Sequence, residues 1–258
     1  MAIHPTAIVD PAAEIDPDAE IGPYCVIGGG VSIGARTRLI AHVYLEGKLT
    51  IGCDNVFYPY VTCGVAPQDK KYRGEPSETR IGDRNSIREC VTIHRGTEGG
   101  GMLTSIGEGN LLMAYVHVAH DVIIANHTIL ANCVTFAGHV RVDEYANIGG
   151  HCGIHQFCRI GRYAMVGSYS VITQDVLPFS TIATTREVKI YGANRVGLER
   201  RGYSAESIEP LQNAFRILTR AGLNTTQAVA RIQEEGPDTP EVREVLEFIA
   251  NSSQGFIK

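Results

Sequence analysis

Several side chains that can exchange protons lie close together in the middle of the chain. Most of the nine histidines fall between positions 117 and 155, and Asp121 directly follows His120. A neutral imidazole accepts a proton near pH 7, so this region could supply a general base. A glycine backbone N–H near such a base could donate to an oxyanion. A base and an amide donor are the minimum that acyl transfer requires.

Basic side chains elsewhere could contact a phosphate group. Arg95 and the pair Arg200 and Arg201 have guanidinium groups suited to that role, although Arg95 could equally brace a loop and the pair could cap a helix. The charged residues at 68–71 could equally be solvated turn charges. Positions 186–220 hold seven Lys/Arg against four Glu, which fits an acidic partner or, with equal weight, a solvated face.

A six-residue repeat must position these side chains. A period of six matches neither the roughly 3.6-residue turn of a helix nor the alternation of an isolated strand. It fits a short strand followed by a bend, three of which close a triangular coil of 18 residues, with stacked coils about 4.8 Å apart. The sequence therefore predicts a mainly β fold, a left-handed parallel β-helix. The predicted inward residues are Val9, Ile15, Ile21, Ile27, Ile33, Leu39, Leu45, Ile51, Phe57, Cys63, Ile81, Ile87, Ile93, Ile106, Leu112, Val118, Ile124, Leu130, Phe136, Val142, Ile148, Ile154, Ile160, Val166 and Ile172.

Positions 18 apart in such a coil lie one above the other. The column through His120 therefore contains Gly138, Gln156 and Gln174. The side chains around this column are His117, Asp121, His139 and His155. Any one of these histidines alone could be a solvated surface group. Aligned polar groups on one face of the prism favour catalysis, with His120 as the base and the Gly138 N–H as the oxyanion donor.

Two interruptions of the repeat predict loops that leave the prism. In the first, the six-residue spacing continues across the interruption. However, Asp69 and Glu75 fall at inward positions, where an unpaired charge is costly to bury. In the second, the phase slips by one residue within a glycine-rich segment. We therefore predict loops at 64–80 and 94–105. Loops on a rigid scaffold are where specificity usually resides.

After about position 178 the repeat fades and helical patterns begin. The segment 204–222 has an apolar stripe with helical spacing and Ser204 as its N-cap. Further helices are predicted over 226–235 and 239–252, each opening near a threonine and bounded by glycine or proline. The two predicted domains are a β-helix at 1–188 and a small C-terminal α-helical domain at 189–258.

Composition is typical of a folded globular protein, with 44% hydrophobic and 20% charged residues. The net charge of −5 argues against a nucleic-acid binder. No stretch reaches the roughly 18 apolar residues of a membrane span, and the start lacks a signal-peptide pattern. Seven cysteines without a CxxC pair favour small core residues in a reducing compartment. The expected location is the cytoplasm.

Five motifs resemble those of the UDP-N-acetylglucosamine O-acyltransferase family of hexapeptide-repeat proteins. They match in order, spacing and loop position over essentially the whole chain: IGDRNSIRECVTIHRGT, NLLMAYVHVAHD, ILANCVTFAGHV, IHQFCRIG and LERRGYS. The resemblance implies transfer of a 3-hydroxyacyl group from acyl carrier protein to the glucosamine 3-hydroxyl of UDP-N-acetylglucosamine, the first step of lipid A biosynthesis. It also implies a homotrimer with sites between neighbouring prisms, and no metal or cofactor beyond the carrier's phosphopantetheine.

The matched motifs also imply roles for individual residues. His120 would be the general base, Asp121 would orient or polarise it, and the Gly138 amide would form the oxyanion hole. The residues implied to contact the sugar nucleotide and its phosphates are Asp69, Lys71, His117, His139, His155, Gln156, Asn194, Arg200 and Arg201. The basic excess at 186–220 would be the docking surface for the acidic carrier protein.

Two places depart from the family pattern. Where many members have Gly-Cys after the MVG motif, this chain has Ser168 and Tyr169. That place lines the family's acyl groove, so the bulkier pair predicts a shorter 3-hydroxyacyl chain. Val196 stands where a carboxylate is expected two residues after Asn194, and the preceding segment carries one extra residue. These changes leave open an acceptor with a 3-amino group.

Two other functions fit a hexapeptide prism. A carbonic-anhydrase-like zinc enzyme needs three imidazoles converging on the metal. His117 and His120 could supply two, but the loops and paired arginines would then have no purpose. A non-enzymatic solenoid would present ranks of threonine or bland faces, whereas this face carries His, Asp and Gln in register. The acyltransferase hypothesis accounts for all of these features.

Overall fold

The six-residue repeats form a triangular prism whose walls are three β-sheets. The computed structural model describes residues 2–184, 188–220 and 222–257. Through β26, successive strands belong to walls 1, 2 and 3 in turn, and strands one coil apart pair in parallel. This is the predicted left-handed parallel β-helix.

The strands are short and regular. Wall 1 contains β1 Ala2–Ile3, β4 Glu20–Ile21, β7 Arg38–Leu39, β10 Val56–Phe57, β13 Ser86–Ile87, β16 Leu111–Leu112, β19 Ile129–Leu130, β22 Asn147–Ile148, β25 Met165–Val166, β27 Ser180–Thr184 and β28 Val188–Ala193. Wall 2 contains β2 Ile8–Val9, β5 Val26–Ile27, β8 Tyr44–Leu45, β11 Thr62–Val65, β14 Thr92–His94, β17 His117–Val118, β20 Thr135–Phe136, β23 Gly153–Ile154 and β26 Val171–Ile172. Wall 3 contains β3 Glu14–Ile15, β6 Val31–Ile33, β9 Lys48–Ile51, β12 Glu78–Ile81, β15 Leu103–Ile106, β18 Ile123–Ile124, β21 Arg141–Val142 and β24 Arg159–Ile160.

The interior of the prism is filled by residues that the repeat assigns to inward positions. Val118, Phe136 and Ile154 stack in register on wall 2 and are at most 3% exposed. Burying a side chain of this kind contributes roughly 1.5–3 kcal/mol relative to leaving it exposed. Because each coil packs on the next, the core fixes the height and direction of the residues at every corner.

Both loops leave the prism at the corner between walls 2 and 3. Ile51 pairs with Ile81, and Ile81 pairs with Ile106, so these coils span 30 and 25 residues where a plain coil spans 18. The extra residues, 12 and 7 by subtraction, lie between β11 and β12 and between β14 and β15. The second loop contains a short 3-10 helix, Glu98–Gly100. The same corner carries His120.

Buried amides keep these two longer coils in register. The Asn85 N–H donates to Asn55 Oδ1 at 2.9 Å, and the Asn110 N–H donates to Asn85 Oδ1 at 2.9 Å. The Asn85 side-chain amide also donates to the Gly107 carbonyl at 2.9 Å. All three asparagines are at most 2% exposed. Buried polar groups need such partners, so the ladder aligns coils of unequal length.

The last part of the chain adds an antiparallel strand pair to wall 1 and, within the described residues, forms four helices. β27 pairs with β28, and the helices are α1 Arg195–Arg200, α2 Ala205–Arg220, α3 Thr225–Glu235 and α4 Pro240–Ala250. The three predicted helices are α2, α3 and α4, and Thr239 caps α4 as expected. Asn224 caps α3 instead of a threonine, because its side chain and that of Gln227 form a reciprocal capping box. The sequence pattern does not predict β28 and α1, because they lack a long apolar period.

A buried aspartate and an ion pair attach the helices to the prism. Asp175 accepts the Arg159 N–H at 2.8 Å and the Ser252 hydroxyl at 2.9 Å. Glu244 on α4 lies 3.3 Å from Arg162 Nε, without hydrogen-bonding geometry. Burial raises the pKa of the Glu244 carboxyl to about 7, although the Arg162 charge opposes this shift. The positive charge of Arg162 therefore does not fully offset the cost of burying the Glu244 carboxylate.

The attachment of α4 should weaken as the pH rises through about 7. The folded-state pKa of Glu244 lies above the roughly 4.3 of an unfolded chain, so folding favours the protonated form. The resulting stabilisation is full below about pH 4 and is lost as the pH rises to the folded-state pKa. We expect Glu244→Gln to flatten the pH dependence of Tm, with the exposed Glu247→Gln as a matched control. Parallel Tm–pH curves for wild type and Glu244→Gln would contradict this assignment.

The cysteines are free thiols, and four of them are core residues. Cys25, Cys63, Cys152 and Cys158 are buried, as predicted for small apolar groups. Burial raises the pKa of the Cys158 thiol to about 11, so it stays protonated at neutral pH. Across the described ranges, none of the helices has the length and apolarity needed to cross a membrane.

Candidate active site

A groove on wall 2 brings most of the predicted histidines together. It lies beside the corner from which both loops leave and has a volume of about 520 Å³. Its N-terminal end is polar, lined by Gln68, His94, His117 and His120. Towards the C-terminal coils, Ile154 and Val171 add apolar surface beside His155 and Thr173. The groove therefore offers both polar and apolar contacts to a substrate.

His120 and Asp121 form a hydrogen-bonded pair in this groove. His120 Nδ1 lies 2.8 Å from Asp121 Oδ2, and the Asp121 side chain is 1% exposed. An ionised carboxylate only accepts hydrogen bonds, so the imidazole carries its proton on Nδ1. Nε2 then keeps a free lone pair. This arrangement is what a histidine base with an orienting carboxylate requires.

The second loop holds the Asp121 carboxylate in place. Asp121 lies at the corner with φ 61°, a left-handed conformation that aspartate tolerates better than most residues. Thr97 donates its backbone N–H to Oδ1 at 2.8 Å and its hydroxyl to Oδ2 at 2.5 Å. The repeat gave no reason to select Thr97. Its place in the matched TIHRGT segment was the only signal for it.

Gly138 lies against His120, as the 18-residue column predicts. A Cβ at Gly138 would lie 2.5 Å from His120 Cε1, so glycine is needed to leave room for the ring. Throughout the described residues, the Gly138 N–H donates to no protein group. It is therefore free to donate to an oxyanion that forms beside His120.

Three more histidines near the base are held uncharged. Burial, aided by the charges of His117 and His120, lowers the pKa of His94 to about 4. Burial also lowers the pKa of His117, whose Nδ1 lies 2.7 Å from the Thr92 hydroxyl. Burial lowers the pKa of His139 too, although nearby carboxylates oppose the shift. At neutral pH these rings are therefore uncharged.

The first loop reaches the rim of the groove. Gln68 lines the groove, and the charge of Asp69 acts on His139, favouring its protonated form. Asp69 Oδ1 accepts the Lys71 N–H at 2.9 Å, while the Lys71 side chain faces solvent. Asp69 is therefore within electrostatic reach of His139, whereas Lys71 is linked to this region only through its backbone.

The coil that follows that of Gly138 carries His155 and Gln156. His155 lines the groove, whereas Gln156 beside it is exposed and does not. Ser168 and Tyr169 lie at the other edge of this wall, at the corner between walls 1 and 2. Both are exposed, and Tyr169 stacks on His151 with ring centroids 4.9 Å apart.

Asn194, Arg200 and Arg201 lie away from the groove. The Arg201 guanidinium stacks 4.2 Å from the ring of Tyr145, which belongs to the corner between walls 3 and 1. Asn194 caps α1 by accepting the Gly197 N–H at 3.2 Å, and its NH₂ group donates to the Tyr163 carbonyl at 2.9 Å. Within one chain these three residues and His120 therefore occupy different corners.

Three groups at this corner of the prism lie close enough to share a metal ion. His120, Asp121 and His139 offer ligand atoms that all lie within 4.8 Å of one another. The set has two imidazoles, not the three of a carbonic-anhydrase-like site. Both Asp121 oxygens already accept hydrogen bonds. The cluster is therefore better suited to moving a proton.

Comparison with known proteins assigns the family. A family model for domain 2 of UDP-N-acetylglucosamine O-acyltransferase matches residues 175–257, and a model for the bacterial transferase hexapeptide (six repeats) matches residues 103–138. The acyl-[acyl-carrier-protein]–UDP-N-acetylglucosamine O-acyltransferase of Thermodesulfovibrio yellowstonii is 50% identical over 256 residues, covering 99% of each chain. The chain belongs to this family. It is an enzyme, an acyltransferase of the hexapeptide-repeat type.

Solved structures of this acyltransferase family have the same fold over their full length. LpxA from Bacteroides fragilis, a UDP-N-acetylglucosamine acyltransferase, is 40% identical with a TM-score of 0.96, covering 99% of this chain and 100% of its own. LpxA from Acinetobacter baumannii is also 40% identical, with a TM-score of 0.95 and full coverage of both chains. Prism, loops and helices are therefore all shared with the family.

Proposed function

We propose that this acyltransferase transfers a 3-hydroxyacyl group from acyl carrier protein to the glucosamine 3-hydroxyl of UDP-N-acetylglucosamine, the first step of lipid A biosynthesis. The observation that supports it most is the juxtaposition of the His120–Asp121 pair with the free Gly138 N–H. Family membership supplies the substrates, and the groove supplies a base and an oxyanion donor in one place.

The reaction follows from these two groups. His120 Nε2 removes the proton from the sugar 3-hydroxyl while its oxygen attacks the thioester carbonyl carbon. The carbonyl oxygen becomes an oxyanion, which accepts a hydrogen bond from the Gly138 N–H. When the intermediate collapses, the C–S bond breaks, and the His120 imidazolium protonates the departing thiolate. Asp121 holds the ring and stabilises its charged form. The products are the ester and the carrier's free phosphopantetheine thiol.

The sugar nucleotide is proposed to bind along the polar end of the groove. Asp69 and Lys71 of the first loop would contact it together with His117 and His139, whose neutral rings offer hydrogen bonds. His155 and Gln156 would contact it from the next coil. No metal or further cofactor is required, because the thioester already carries an activated acyl group.

We propose that a homotrimer completes the site. Asn194, Arg200 and Arg201 lie at another corner of the prism from His120, so a neighbouring chain could bring them to the phosphates of the nucleotide. A threefold assembly suits a triangular prism with one such corner facing each neighbour. We also propose that the chain divides into domains at 1–188 and 189–258 and that it is located in the cytoplasm. The carrier protein would dock on the basic segment that includes Lys189.

If sites form between chains, we expect His120→Ala and Arg201→Ala each to lose most activity and a mixture of the two to regain part of it. In random trimers formed from equal amounts of His120→Ala and Arg201→Ala subunits, about a quarter of the sites would combine an intact His120 with an intact Arg201 of the neighbour. Co-refolded mixtures should therefore regain about a quarter of wild-type kcat. Each variant refolded alone is the control. Mixtures no more active than the separate variants would argue against shared sites.

The acyl chain is proposed to run along wall 2 towards Ser168 and Tyr169. Purified protein should be assayed with UDP-N-acetylglucosamine and carrier proteins bearing 3-hydroxyacyl groups of increasing length. We expect wild type to prefer short chains, and Ser168→Gly combined with Tyr169→Ala to shift kcat/KM towards longer ones by about tenfold. Tyr60→Ala, which removes an equally exposed ring stacked on His42, is the matched control.

The same assay tests the acceptor. Equal turnover of short and long chains by wild type would refute the chain-length proposal while leaving acyl transfer intact. Transfer to a 3-amino UDP-sugar without transfer to UDP-N-acetylglucosamine would replace the proposed acceptor. Absence of transfer to either sugar at every chain length would overturn the proposed function.

A further inference from the structure

One threonine binds both oxygens of the carboxylate next to the base. Counted as whole residues, Thr97 and Asp121 are each 5% exposed. The Thr97 N–H and hydroxyl donate to Oδ1 and Oδ2 at 2.8 and 2.5 Å, and His120 Nδ1 lies 2.8 Å from the same Oδ2. We propose that Thr97 is a positioning residue that fixes the tautomer of His120. This inference rests on the proposed acyl transfer.

The Thr97 hydroxyl binds Asp121 instead of capping the helix that follows it. Thr97 occupies the N-cap of the 3-10 helix Glu98–Gly100, yet its side chain makes no capping hydrogen bond there. An N-cap threonine ordinarily accepts a hydrogen bond from the first turn. The hydroxyl instead donates to a carboxylate 24 residues away in sequence. The helix therefore goes without side-chain capping so that Asp121 is bound.

The second loop also seals the carboxylate against water. Gly100 packs so closely that a Cβ there would lie 2.0 Å from Asp121 Cγ. The Asp121 N–H donates a hydrogen bond to Thr104 Oγ1 at 2.8 Å. The aspartate is thus held through its backbone by the prism and through its carboxylate by the loop. Its remaining freedom is rotation of the carboxylate.

That rotation would matter because two imidazoles compete for the same oxygen. His139 Nδ1 lies 3.8 Å from Asp121 Oδ2, while His120 Nδ1 lies at 2.8 Å. The Thr97 hydroxyl directs Oδ2 towards His120. Without it, the carboxylate could turn to His139, and the His120 proton could move to Nε2. A ring protonated on Nε2 cannot accept the substrate proton.

Thr97→Val tests the inference, because it removes the hydroxyl and keeps the side-chain volume and backbone N–H. We expect kcat to fall about tenfold, with KM for UDP-N-acetylglucosamine changed less than about twofold. Thr97→Ser should restore most of kcat. Nitrogen-15 NMR of histidine-labelled protein should show an increased fraction of His120 protonated on Nε2 in Thr97→Val only.

Thr128→Val is the matched control. The Thr128 hydroxyl is fully buried and donates to Asn110 Oδ1 at 2.8 Å, so its loss removes a comparable hydrogen bond away from the groove. Equal losses of kcat in the two valine variants, with an unchanged His120 tautomer, would overturn the positioning role. So would wild-type kcat in Thr97→Val. If wild type itself fails to transfer an acyl group, the proposed function fails, and the NMR readout still decides the tautomer.

Discussion

His120→Ala is expected to lower kcat for acyl transfer by about 10³-fold. The imidazole lines the groove, and its Nε2 is left without a proton because Asp121 accepts a hydrogen bond from the Nδ1–H. Without it, the sugar hydroxyl must attack while still protonated. The KM for UDP-N-acetylglucosamine should change much less, since other side chains bind the sugar nucleotide. Steady-state kinetics with a saturating acyl donor measure both constants.

His42→Ala is the matched control for this substitution. His42 is exposed and stacks between Tyr24 and Tyr60, far along the prism from the groove. Its loss should leave kcat within about twofold of wild type, as expected for a surface change away from the chemistry. Near-normal kcat in His120→Ala would remove this residue from the role of base.

Gly138→Ala is expected to reduce kcat by at least about 100-fold. The added Cβ would lie 2.5 Å from His120 Cε1 and 2.8 Å from Nε2, so the ring must move. The backbone N–H remains, so the loss arises from displacing the base and from crowding the position of the oxyanion. A displacement of about 1 Å is enough to cost two orders of magnitude in rate.

Gly28→Ala separates this effect from a general intolerance of side chains on the prism. Gly28 lies at the same corner between walls 2 and 3, and a Cβ there would lie no closer than 3.5 Å to any atom. Its kcat and Tm should match wild type. If Gly138→Ala keeps wild-type kcat with a folded prism, His120 does not occupy the space next to Gly138 during the reaction.

The sequence predicts the prism because the six-residue pattern is local and is repeated along the chain. Each six-residue unit places one apolar side chain inward and one turn at a corner, so the register of 18 follows by addition. That register predicts Gly138 beside His120, and Gly138 does lie there. The helices were equally local, since Ser204 and Thr239 mark their starts.

The paths of the loops could not be predicted in this way. Thr97 contacts Asp121 across 24 residues, and nothing in the spacing of a non-repeating segment says where it returns. The burial that lowers the pKa of His94 likewise depends on packing around the groove. Such contacts arise from closure of the chain over long distances, for which no period exists.

The spacing of residues along the chain therefore predicts the fold and the column that contains His120, because identical short units stack with a fixed register. The residue that binds the Asp121 carboxylate, and the placement of Arg201 at a different corner from His120 within the chain, depend on long-range packing. Those outcomes depend on which surfaces the loops and the C-terminal segment pack against. That packing minimises free energy over the whole molecule, and no single repeat encodes it.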